Sequence, residues 1–121
     1  MSARNMHTLQ KEQRGHVRYP VQYSGSFSRK GISARGVILN LSLAGCRALS
    51  EAPVAAGELV ILIEVPRHAT PLQIQLGAVR WSQGSEFGVE FLRLEPDQER
   101  RLRELIQESE ADQALRTWQR G

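Results

Sequence analysis

The chain has 121 residues, 40% hydrophobic and 24% charged, with a net charge of +3, which fits one domain with a core that needs no staples. Its single cysteine, Cys46, excludes an internal disulfide, and one Cys with three scattered His offers no recognisable metal-ligand spacing, so no metal or cofactor is expected. No stretch approaches the ~18 consecutive apolar residues of a membrane span, and the polar N-terminus has no signal-like apolar run, which predicts a cytoplasmic protein without membrane insertion.

Residues 1–12 show neither helical nor strand period and read as a flexible arm. The domain proper is expected over 13–110. Tyr19-Pro20 favours extended backbone, because a residue before proline avoids the helical region. Val21 to Phe27 alternates as a first strand, with Val21, Tyr23 and Phe27 on one face. A turn at Arg29-Lys30-Gly31 leads to a second strand, Ala34 to Ser42, with Val37, Leu39 and Leu41 facing inward. Leu43-Ala44-Gly45 closes a tight turn in which Gly45 can take a positive φ at no steric cost.

Cys46 to Ser50 forms a third strand. After a loop from Glu51 to Gly57, the run Glu58 to Val65 is apolar enough to predict a strand buried on both faces. Leu72 to Trp81 is a long strand bent at Gly77. A turn over Ser82 to Ser85 leads to the last strand, Phe87 to Phe91. The period then changes. Glu95-Pro96-Asp97 opens a helix whose inner face carries Leu102, Leu105, Ile106 and Ser109, with Arg100, Arg101, Arg103 and Glu104 on the other face. Residues 111–121 read as a tail or an extension of that helix.

Six strands joined by short turns, without helices between them, predict an all-β domain. Its expected form is a six-stranded antiparallel β-barrel capped by one C-terminal α-helix. Leu102, Leu105 and Ile106 are expected to seal the barrel rather than to form a dimer seam, which leaves a monomer or weak dimer.

Residues 1–50 hold eight Lys/Arg against one acid, a net of +7, whereas the rest hold eight Arg against twelve acids, a net of −4. That asymmetry points to a localised anionic partner. No catalytic constellation accompanies it. Cys46 reads as a small core residue rather than a nucleophile, His7, His16 and His68 read as solvated, and the acids of 95–112 line a helix, so no enzyme is expected. Arg14 and Arg18 offer two planar forks suited to phosphate oxygens or a guanine edge. Asn40 and Ser42, two apart on a strand, place an amide and a hydroxyl on one face, and Gly45 lets backbone approach a ligand.

Arg14-x-x-x-Arg18, followed after one hairpin by Asn40-x-Ser42-x-x-Gly45, resembles the paired motifs of the PilZ domain family. Trp81 and the run Phe87-Gly88-Val89-Glu90-Phe91 resemble the signature of its last two strands. The resemblance implies a receptor for the bacterial second messenger cyclic di-GMP, held by Arg14, Arg18, Asn40, Ser42 and Gly45. It would pass the signal to an unknown downstream protein in motility, exopolysaccharide or biofilm control. The family often has Asp where Asn40 stands, and often a further Arg where Gln13 stands, which leaves the ligand stoichiometry open. The alternatives are a nucleotide-independent adaptor of the same fold, or a nucleic-acid-binding barrel. The last is disfavoured because few aromatics interleave with the basic residues.

Overall fold

The computed structural model describes residues 16–120, with side chains as far as Arg116. Six strands are followed by one helix: β1 (Tyr19–Arg29), β2 (Ile32–Leu41), β3 (Gly45–Ser50), β4 (Gly57–Glu64), β5 (Leu72–Gln83), β6 (Glu86–Arg93) and α1 (Pro96–Arg120). The strands close a barrel in the order β1-β2-β3-β6-β5-β4, every pairing antiparallel. The expected all-β barrel with its terminal helix is therefore the architecture found.

Inward positions fill the interior. Phe27, Ile38, Ile61, Ile63, Leu72, Ile74 and Phe87 are buried, and the Phe27 and Phe87 rings meet edge-on with centroids 5.0 Å apart. The helix starts where Pro96 can sit without a missing hydrogen bond, with Asp97 and Glu99 in its first turn. Leu102, Leu105 and Ile106 belong to the same buried cluster, so this face of the helix seals the barrel as expected. Burying each such side chain is worth about 1.5–3 kcal/mol.

The alternation of β2 departs from expectation. The inward residues are Ile38 and Leu41 instead of Val37, Leu39 and Leu41. The cause is an irregularity against β3 between Ile38 and Asn40: Leu39 is the extra residue of a bulge, and one extra residue reverses which side chains face the core. Strand β4 is also not buried on both faces. Leu59, Ile61 and Ile63 point inward while Leu62 is 37% exposed, because no described residue covers the outer wall there. At β5 the pairing with β6 shifts between Leu76 and Gly77, the position where a bend was expected.

Arg101 is not on the helix's free face. It is half-buried and donates to the Thr70 carbonyl at 2.6 Å and the Pro71 carbonyl at 3.0 Å. It also meets His68 Nδ1 at 3.2 Å, and since a guanidinium can only donate, that nitrogen accepts. His68, expected to be simply solvated, therefore has a partner. Gln98 adds an acceptor for the Gln73 N–H at 2.8 Å, so the helix start and the β4–β5 loop are pinned together.

Candidate functional site

The β2–β3 turn is organised by Ser42. Its side chain is buried, 2% exposed. Oγ accepts the N–H groups of Ala44 at 3.1 Å and Gly45 at 3.0 Å, and donates to the Gly45 carbonyl at 3.2 Å. A hydroxyl has one donor and two acceptor positions, so this one is saturated by its own turn. The main chain adds Ser42 N–H to the Gly45 carbonyl, and Phe91 N–H to the Ala44 carbonyl. The turn is thereby fastened to β6.

Gly45 needs its missing side chain for a different reason from the one expected. It lies in strand β3 opposite Glu90, and it is not among the residues with positive φ, which include Gly31, Gly57 and Gly84. A Cβ at position 45 would instead run into the Val89 carbonyl oxygen. Close packing of β3 on β6 sets the requirement.

Asn40, at the end of β2, pairs across to Arg47 in β3 and to Pro20 in β1. Its Oδ1 accepts the Arg47 backbone N–H at 3.0 Å and a longer contact from Arg18 Nη1 at 3.4 Å. The backbone donor fixes the orientation of the amide and turns Nδ2 outward as a donor. Asn40 and Ser42 do not present equivalent groups from one strand face. The strand ends at Leu41, Ser42 is buried, and Asn40 alone keeps an available polar group. Arg14 lies outside the described residues. Arg18 is exposed at the root of β1, close enough to Cys46 for its charge to act on the thiol.

Beside Asn40 and Arg18 the barrel wall holds a groove of about 360 Å³. It is lined by His16, Arg18, the Ser42–Gly45 turn, and Arg80, Trp81, Gly88 and Glu90. Trp81 pairs with Gly88 across β5 and β6, and a Cβ on Gly88 would collide with the indole. The ring thus lies over bare backbone and keeps 42% of its surface exposed. Arg80 and Glu90 form an ion pair at the groove wall, with Nη2 to Oε1 at 2.6 Å and Nε to Oε1 at 2.7 Å. Arg47 meets Glu86 at 3.1 Å, while its Nε is buried with no partner among the described residues.

His16 corrects another expectation, since it is half-buried and its Nδ1 is enclosed without a hydrogen-bond partner among the described residues. Cys46 is fully buried under the groove, and desolvation pushes its thiol up to about 12 despite the opposing pull of Arg18. A thiol so protected is not a nucleophile at neutral pH. The groove therefore combines a cation, an exposed aromatic face and several directional donors and acceptors. That combination can hold a planar, anionic molecule by charge and stacking. Arg80, Trp81 and Glu90 were not predicted as site residues. The signal for Trp81 was its place with Phe87-Gly88 in the signature stretch of the last two strands, whereas Arg80 and Glu90 look in sequence like ordinary surface charges.

The model of the family described as PilZ domain matches residues 12–108. Three solved structures share the fold at low identity. The "PilZ domain with c-di-GMP of YcgR from Escherichia coli" has a TM-score of 0.63 at 15% identity, covering 87% of this chain and 97% of that one. The Bacillus subtilis inhibitor of motility (MotI/DgrA) has a TM-score of 0.64 at 16% identity, covering 82% of this chain and 50% of the other. The PilZ domain of CeSA from a cellulose-synthesizing bacterium has a TM-score of 0.60 at 16% identity, covering 78% and 98%. No curated protein sequence matches the chain significantly.

Proposed function

The chain belongs to the PilZ domain family, and from that premise we propose that it is a non-catalytic receptor for cyclic di-GMP that relays the messenger to a protein partner. The observation that carries the reading is the convergence of Arg18, the Ser42–Gly45 turn and the exposed Trp81 ring on one groove, with Asn40 beside it in contact with Arg18. Cyclic di-GMP is two guanosines in a ring closed by two phosphodiesters, so it presents flat bases and fixed negative charges together. Arg18, with Arg14 from the preceding segment, supplies the planar cations for phosphate and base. Trp81 supplies a face for stacking. Asn40 offers its Nδ2 hydrogens to a purine or phosphate acceptor. Ser42 contributes by holding the turn, and Gly45 by letting that turn sit against β6.

The partner is a protein of the motility, exopolysaccharide or biofilm machinery, in keeping with a fold neighbour named as an inhibitor of motility. Calorimetric titration with cyclic di-GMP tests the receptor reading. Wild type should bind. Arg18→Ala and Arg14→Ala should each lose about 1.5–3 kcal/mol, the usual worth of a hydrogen bond to a charged group, or roughly ten- to a hundred-fold in Kd. No heat from wild type at high micromolar ligand would sink the proposal.

A further inference from the structure

We propose that Glu90 reads the guanine edge of the bound nucleotide, supplying the carboxylate acceptor that Asn40 cannot. This inference rests on the receptor reading above. Asn40 has its one carbonyl oxygen engaged by the Arg47 N–H and by Arg18, so what it has left to offer is a donor. Among the described residues lining the groove, Glu90 is the one carboxylate. Both contacts from Arg80 fall on Oε1, and Oε2 has no partner among the described residues. The ion pair fixes the side chain without using up its acceptor positions, since a carboxylate has about four.

Its placement suits the task. Glu90 lies two residues beyond Gly88 on β6, so the two share a face and stand roughly 7 Å apart. The Trp81 ring covers Gly88. A base stacked on that ring therefore has its edge near the Glu90 carboxylate. On its Watson–Crick edge guanine presents two neighbouring donors, N1–H and N2–H, which a carboxylate accepts. Adenine presents an unprotonated N1 there, whose lone pair faces the carboxylate unfavourably. Glu90 is thereby a specificity-determining residue that favours guanine over adenine, while stacking on Trp81 holds either base.

The test compares Kd for cyclic di-GMP, cyclic di-AMP and cyclic di-IMP, which lacks the 2-amino group, in wild type, Glu90→Gln and Arg80→Ala. Wild type should prefer the guanine ligand over both others. Glu90→Gln should lose about tenfold for cyclic di-GMP and less for cyclic di-AMP, narrowing the ratio. Arg80→Ala breaks the same ion pair but keeps the carboxylate. It should shift the affinities together and preserve the ratio, which separates base reading from loss of structure. Binding by wild type with an unchanged ratio in Glu90→Gln overturns this inference alone. Failure of wild type to bind cyclic di-GMP overturns the receptor reading and this inference with it.

Discussion

Replacing Ser42 by Ala removes one oxygen and tests whether that oxygen works for the turn. Gly45 N–H is buried and would lose its acceptor at 3.0 Å, which costs about 1–3 kcal/mol for a stranded buried donor. Ala44 N–H is part-buried and loses its acceptor at 3.1 Å. Water can partly replace that bond, so about 0.5–1.5 kcal/mol is appropriate. The two contributions predict a destabilisation of about 2–4 kcal/mol without any ligand present. Urea unfolding followed by circular dichroism measures it, with an unchanged m-value as the sign that only stability moved. Ser50 is a useful comparison, being buried to 6% exposure but accepting a single backbone N–H, from Ala52 at 3.2 Å. Its alanine variant should cost about half as much. If Ser42→Ala changed stability by less than about 0.5 kcal/mol, the turn-organising role would be refuted, and the hydroxyl would have to be explained by its ligand alone.

Gly45→Ala should destabilise by about 1–3 kcal/mol or more, since β3 and β6 must part to admit the methyl group. Gly31→Ala, where φ is +81° and nothing lies within 4 Å, should cost only about 1 kcal/mol, from backbone conformation alone. Equal costs at the two sites in thermal or urea unfolding would contradict the packing argument. The buried thiol gives a pH dependence. Below about pH 9 both folded and unfolded chains keep the Cys46 proton. Between about 9 and about 12 the unfolded thiol ionises and the folded one does not, so stability falls as pH rises, by up to ~1.4 kcal/mol per unit. The tyrosines Tyr19 and Tyr23, both shifted upward chiefly by desolvation, add a decline of the same sign above about pH 10. Cys46→Ala should therefore show a shallower loss of stability between pH 9 and 10 than wild type. Parallel curves would refute the linkage.

The barrel was legible because five of its six strands announce themselves by alternation or apolar runs between turn residues, and because the helix changes period at Pro96. What was not legible has local causes. Leu39 looks like any inward leucine until the pairing with β3 reveals it as the extra residue, so that Ile38 takes the inward place expected of Val37 while Leu41 keeps its own. The apolar run of β4 is silent on whether its outer side is covered, and so places Leu62 in a core that the side chain does not join. Gly45 stands out in the sequence as a turn residue free to take a positive φ, but sequence cannot show that a neighbouring carbonyl, not φ, is what excludes a side chain there. At the site, Arg18 and Asn40 do come together. Trp81 and Glu90 share the groove with Arg18 only through the register of β5 and β6 against β3, which is a long-range property of the closed sheet.

Closure also constrains how a signal can leave the domain. Strand β1 is paired on one side with β2 and on the other with β4, so among the described residues the sheet has no outermost strand with a spare row of N–H and C=O groups. A partner cannot dock by adding a strand of its own, the mode that relies on such a row. It must read side chains on the wall or the helix, where single substitutions can redirect it without touching the backbone lattice beneath. The same closure leaves a second copy of the described barrel no strand edge on which to add its own.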